Sequence, residues 1–158
     1  MRKTHYQNEI ASSVYSVETD EDIMARIISI AEREYPYECC GILIGRCDDH
    51  CFEISDVYET CNHESSVKRA DSFTIGPMDV YKCERALTGT ESEIIGFYHS
   101  HPDRPAVLSV KDENGMLPGL LYVLISVSAG MCKDIKTYIR LNEMIHEATM
   151  YNENRQKG

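Results

Sequence analysis

The stretch His99-Ser100-His101-Pro102, followed at a distance by Ser109 and Asp112, holds the residue types in this chain best placed to do chemistry. On a strand alternate side chains share a face, so His99 and His101 can aim two imidazoles at one point while Ser100 looks away. That is a metal-ligand geometry. Pro102 and Pro105 end such a strand and stiffen the turn after it, and a chain folding back through the loop could present Asp112 as a third, oxygen ligand. Two histidines and one carboxylate leave the fourth tetrahedral position of a zinc ion open, which distinguishes a catalytic zinc from a structural one.

Each motif also has a plainer reading. An H-x-H pair alone is more often two surface or core histidines, and Ser109-x-x-Asp112 alone is a capping box. The two readings are compatible, because a capped helix start is a rigid place from which to aim a carboxylate. Histidines 5, 50, 63 and 146 have no partners at useful spacing and read as surface residues. Seven cysteines, an odd number without a C-x-x-C pair, fit reduced thiols better than a disulfide framework or a zinc cage; Cys47 and Cys51 are the one pair with metal-sharing spacing. The H-E-x-x-H of a zincin and the P-C-x-x-C of a zinc nucleobase deaminase are both missing from the sequence. An iron-oxygenase triad of two histidines and a carboxylate stays open on ligand type.

The elements that must carry these residues are legible from periodicity. Thr19 and Asp20 are good caps, Asp22 sits where a capping box wants an acid, and Ile23, Ile27, Ile30 and Ala31 recur at helical spacing, so a helix is expected over about 20–34, ending before Pro36. Residues 39–45 and 51–62 read as a hairpin turning at Asp48 and Asp49. Pro77 suits the first turn of a second helix, with Val80, Cys83, Ala86 and Leu87 on one face and Gly89 at its end. Residues 93–101, 120–128 and 134–142 are further strands. Helices and strands are interspersed without regular βαβ alternation, which predicts an α/β (mixed α+β) fold with a mixed sheet packed against helices.

The chain has 158 residues, enough for a single core, without internal repeats or linkers to divide it. One domain over residues 1–158 is expected, with its core at about 15–145 and loose ends at about 1–10 and 150–158. A net charge of -10 argues against a phosphate-tracking groove, so no nucleic-acid partner is expected. The excess is lopsided, with 7 basic and 16 acidic residues in 1–79 against 9 and 10 in 80–158, and reads as a solvated acidic surface. No apolar run is long enough to span a membrane, and the first twenty positions lack the apolar stretch of a signal peptide, so a cytoplasmic protein without a membrane partner is expected.

The pattern H-S-H-P, six residues, Ser109, two residues and Asp112 resembles the JAMM motif of the JAB/MPN-type metallopeptidases. That family places a glutamate upstream in an E-x-C-G context leading into a strand that ends in glycine, and residues 36–45 here, Pro-Tyr-Glu-Cys-Cys-Gly-Ile-Leu-Ile-Gly, match it. The resemblance runs over about 15–145 and includes Asp71-Ser72-Phe73-Thr74-Ile75 and the Gly96-Phe97-Tyr98 lead-in to the histidines. It implies the JAB/MPN architecture, cytidine-deaminase-like, with one largely antiparallel sheet. It also implies that His99, His101 and Asp112 bind Zn2+, that Glu38 is an unligated general base, and that Ser109 helps hold the oxyanion. Inactive relatives that serve as scaffolds lack members of this set, so its completeness argues for an enzyme.

Members of the family hydrolyse amide bonds after the C-terminal Gly-Gly of ubiquitin or ubiquitin-like proteins, and the compact bacterial and archaeal types are associated with sulfur carriers of that fold. The short chain and the HSHPDRPA wording resemble the compact type. The resemblance therefore implies a zinc hydrolase that removes an amino acid or short extension from a ubiquitin-like sulfur-carrier protein ending in Gly-Gly. Two alternatives stand beside it: an isopeptidase that removes ubiquitin-like modifiers from lysines, and a non-catalytic scaffold that binds such a partner. Oligomeric state, homo-oligomer included, is left open by the sequence.

Overall fold

Asp20 begins the first helix, its carboxylate accepting from the Ile23 N–H at 2.8 Å. The elements in the computed structural model, which describes residues 3–6 and 14–153, are β1 (Lys3–Tyr6), β2 (Ser16–Asp20), α1 (Glu21–Glu34), β3 (Cys40–Asp48) and β4 (Cys51–Thr60). Then come α2 (Pro77–Leu87), β5 (Glu93–Pro102), α3 (Val110–Gly115), β6 (Leu121–Ser128), β7 (Met131–Leu141) and β8 (Met144–Asn152). Thr19, expected as a cap, lies within β2 instead, its hydroxyl donating to the Ile54 carbonyl. The expected hairpin is β3–β4, but its turn lies one residue later than expected, because Asp48 still pairs with Cys51: Asp49 and His50 close it at φ 48° and 61°, the left-handed pair a two-residue turn needs.

The strands form one mixed sheet in the order β1-β2-β4-β3-β5-β6-β7-β8. Among the described residues only β2–β4 and β5–β6 pair in parallel, so the sheet is largely antiparallel, as expected. β1, β2 and β8 are additions to the sequence reading. Both chain ends, expected to be loose, contribute edge strands: Lys3–Tyr6 pairs with Val17–Asp20, and β8 extends to Asn152 along β7. Main-chain pairing at an edge needs no strong apolar alternation, which is why these strands left little trace. Of the ends expected to be loose, 1–2, 7–10 and 154–158 lie outside the described residues.

Helices cover both faces of the sheet, and β3 shows it residue by residue. Leu43 joins the cluster built on Ile23, Ile27, Ile30 and Ala31 of α1, while its neighbours Ile42 and Ile44 pack with Cys83, Val80 and Leu87 of α2. A strand buried on two faces has no polar side to show, and hence CCGILIG reads as a continuous apolar run. β6 repeats the pattern, with Val123 and Ile125 toward α1 and Leu124 toward Ala106, Met116 and Tyr138. Among the described residues no helix is long and apolar enough to cross a membrane.

Two features of this sheet set up the site. Parallel strands cannot be joined by a tight turn, so β5 and β6 require a long excursion, and that excursion carries α3. β3 lies antiparallel to β5 with Cys40 opposite His99, which brings the residue just before β3 to the histidine end of β5. Gly41 stands opposite Tyr98, and a Cβ there would collide with the buried tyrosine ring.

Candidate metal centre

The strand β5 delivers His99 and His101 to one face as expected, ring centroids 5.1 Å apart and both side chains nearly fully buried. Ser100, on the other face, is also used: its Oγ accepts from the Cys39 N–H at 2.8 Å, while its own N–H donates to the Cys39 carbonyl at 3.1 Å. This clamp fixes the chain next to Glu38. Two further main-chain bonds hold Glu38, its N–H donating to Arg69 O at 2.7 Å and its carbonyl accepting from Asn62 Nδ2 at 3.1 Å.

α3 begins with the expected capping box. Ser109 Oγ accepts from the Asp112 N–H at 3.0 Å, and Asp112 Oδ2 accepts from the Ser109 N–H at 3.0 Å. The same Oδ2 lies 3.1 Å from His101 Nε2 and 3.3 Å from His99 Nε2. Glu38 Oε1 approaches His101 Nε2 from elsewhere, at 3.7 Å. All five residues singled out by the sequence thus meet at one place. Glu38, His99 and His101 form a buried group whose ligand atoms lie within 4.8 Å of one another, a grouping compatible with a metal ion.

Three observations test whether a cation fits. His101 Nδ1 lies 3.1 Å from the Pro105 carbonyl, which can only accept, so Nδ1 donates there and Nε2 is the ring nitrogen turned toward the carboxylates. His99 Nε2 is buried without a hydrogen-bond partner, a costly state for an imidazole nitrogen unless something else binds it. Zinc bonds of about 2.0–2.1 Å would set tetrahedral ligand atoms about 3.3 Å apart, close to the 3.1 and 3.3 Å between Asp112 Oδ2 and the two ring nitrogens. The donor set fits.

The two carboxylates differ electrostatically. Burial pushes Glu38 up to about 7, against the opposing pull of His101 and Arg104. Burial also works to raise Asp112, but the two imidazoles beside it and the hydrogen bond from the Ser109 N–H overcome it and hold Asp112 well below the usual carboxylate range. Burial lowers His99 despite the adjacent Asp112. Beside the centre, burial raises the thiols of Cys39 and Cys40 to about 12 and about 11, so neither is a ready nucleophile at neutral pH.

Sequence reasoning missed three contributors. Arg104 Nη2 donates to Glu38 Oε1 at 2.7 Å, a pairing across 66 residues that no local spacing reveals. Asn62 bonds Ser72 O and the N–H groups of Glu64 and Thr74 besides Glu38, shaping the loop that follows β4. That loop brings Phe73 to stack on His99, centroids 4.4 Å apart, so the D-S-F-T-I segment carries a packing partner of a candidate ligand. A cavity of about 390 Å³ opens beside His99, Ser109 and Asp112, with Phe73, Phe97 and Tyr122 among its apolar walls. Lys111 lies at this cavity too, bonded to Ser72.

Known proteins are similar in both sequence and shape. A protein of Haloferax volcanii named desampylase is 26% identical over 125 residues, covering 77% of this chain and 87% of its own length. A solution structure from Desulfitobacterium hafniense superposes with a TM-score of 0.71 at 24% identity, covering 82% of this chain and 87% of that one. One from Salinibacter ruber reaches 0.63 at 26% identity, covering 86% and 91%. The family described as prokaryotic homologs of the JAB domain matches residues 20–138, a span that takes in every residue of the centre. The chain belongs to this family of prokaryotic JAB-domain proteins.

Proposed function

We propose that the protein is a zinc-dependent hydrolase that cuts the amide bond after the C-terminal Gly-Gly of a ubiquitin-like sulfur-carrier protein and releases an amino acid or short extension. The observation that carries this reading is the convergence of His99 Nε2, His101 Nε2 and Asp112 Oδ2 next to a second carboxylate, Glu38, that burial pushes up to about 7. Desampylase, a relative whose name denotes removal of a ubiquitin-like modifier, supports the substrate class.

In this mechanism His99, His101 and Asp112 would hold the zinc. Bound there, zinc supplies a Lewis acid that brings the pKa of water to about 7 and polarises the scissile carbonyl. Asp112 stays ionised because its hydrogen bonds favour the charged form. Glu38, held at Oε1 by Arg104, would stay unligated as the general base that takes the proton from water and hands it to the leaving nitrogen. Ser109 accepts a main-chain N–H at its oxygen, which leaves its hydroxyl proton to donate to the charge developing on the carbonyl oxygen. The apolar cavity beside His99 suits the carrier's tail, and exposed Val107, Val110 and Leu117 offer apolar surface for the carrier's body.

Intact-mass measurement of ubiquitin-like carriers, each extended beyond Gly-Gly and incubated with the zinc-loaded protein, tests this. Truncation at Gly-Gly that stops on chelation is the expected result. Release of a lysine-linked modifier with no cleavage of any linear extension would favour the isopeptidase, and binding without turnover would favour a scaffold.

A further inference from the structure

Arg104 stands beside the carboxylate assigned above as the general base, its Nη2 2.7 Å from Glu38 Oε1. A general base that hands its proton to the leaving nitrogen must lie within about 3 Å of it, so Glu38 marks the leaving-group side of the scissile bond. The cavity beside His99 and Ser109 then belongs to the acyl side. Arg104, at 2.7 Å from Glu38, is on the leaving-group side, and Lys111, at the cavity, is on the other.

Its carbonyl and the residues on either side of it are pinned by hydrogen bonds. The Asp103 N–H donates to Val127 O at 2.7 Å, Asp103 Oδ2 accepts from the Tyr35 hydroxyl at 2.7 Å, and Asp103 Oδ1 from the Ala129 N–H at 3.3 Å. The Arg104 carbonyl accepts from Ser126 Oγ at 2.6 Å, and the next carbonyl, of Pro105, receives the His101 Nδ1 proton. Asp103 sits at φ 55°, the left-handed bend that turns the chain to point Arg104 back at the site. This is a fixed platform. The Arg104 side chain remains 36% exposed while Glu38 and His101 beneath it are 2% exposed, so part of its donor fork meets solvent at the mouth of the site.

A guanidinium held at that place fits a carboxylate. When the leaving group is an α-amino acid, its carboxylate carbon is only about 2.5 Å from the nitrogen that Glu38 protonates. When the leaving group is a lysine side chain, that position is a methylene, which gives the fork nothing to bind. We propose that Arg104 is a specificity residue that receives the free α-carboxylate of the departing amino acid, making the site selective for linear C-terminal extensions one residue long over isopeptides. The inference rests on the hydrolase reading above and names the leaving group for it.

The test pairs acid with amide. Acetyl-Gly-Gly-Ala as free acid and as carboxamide is titrated by NMR onto the wild type, Arg104→Gln and Arg104→Lys, and carriers ending Gly-Gly-Ala in the same two forms are given to the same three proteins. The wild type is expected to bind and to cut the acid at least about tenfold better than the amide, Arg104→Gln to bring that ratio near one, and Arg104→Lys to keep part of it. Loss of Glu38 support alone would lower both rates together and leave the ratio intact. That outcome, or a ratio near one in the wild type, overturns the proposal. An Arg104-dependent preference in binding with no carrier cut would uphold the carboxylate site and sink the hydrolase reading instead.

Discussion

Glu38 and Asp112 reach the same His101 ring from two parts of the chain, and their surroundings treat them in opposite ways. Asp112 sits in a capping box, where a backbone N–H and two imidazoles favour its charge and drive its pKa down. Glu38 sits at the entrance to β3, enclosed, where the cost of burial outweighs the pull of His101 and Arg104, and its pKa rises to about 7. A pair of carboxylates pushed apart in this way is suited to divided labour, one a constant anion and the other a proton carrier. The capped helix start supplies the first condition and the strand entrance the second.

Replacing each side of the pair should break the comparison differently. Asp112→Asn has the largest effect: metal content and hydrolysis fall together to background, as chelation of the wild type also achieves, measured by elemental analysis and turnover on one preparation. Glu38→Gln comes next, keeping its zinc while turnover drops roughly a hundred- to ten-thousandfold. Ser109→Ala also keeps zinc, losing about a hundred- to a thousandfold in rate through the missing donor. Because its hydroxyl oxygen caps α3, the same variant should lose about 1 kcal/mol of stability, read by denaturant melts.

The smallest effect sharpens the comparison without any turnover. In the metal-free protein the folded state holds Glu38's proton up to about pH 7, while the unfolded chain releases it in the ordinary carboxylate range. Ionising Glu38 therefore costs stability as pH rises through that window, and Gln, which cannot ionise, escapes the cost. The stability of Glu38→Gln relative to the wild type should grow between pH 5 and pH 8. Asp112 has the opposite sign: its contribution is present above the ordinary carboxylate range and is lost on acidification, so the stability deficit of metal-free Asp112→Asn should shrink as pH falls. Urea titrations at several pH values measure both slopes.

The same contrast explains what the sequence could reveal. Asp112, Ser109 and the two histidines lie within fourteen residues and obey local rules, namely strand alternation and the capping box, so their arrangement is legible from spacing. Glu38 joined them through its E-x-C-G context rather than its spacing, since alone it reads as a surface carboxylate beside a turn. Its partner Arg104 was invisible because the contact depends on the antiparallel pairing of β3 with β5, a long-range consequence of sheet order. Strands buried on both faces, β3 and β6, announced themselves as apolar runs. β1 and β8, which close the sheet at its edges through main-chain bonds, did not.

The central claim is that Asp112, and not Glu38, completes the metal site with His99 and His101, although Glu38 also lies within ligand range of both histidines. Zinc stoichiometry of Glu38→Gln and Asp112→Asn, purified side by side and dialysed at neutral pH, tests it most directly. The account predicts about one zinc per chain in Glu38→Gln and little in Asp112→Asn. The reverse pattern, zinc kept by Asp112→Asn and lost by Glu38→Gln, would contradict it.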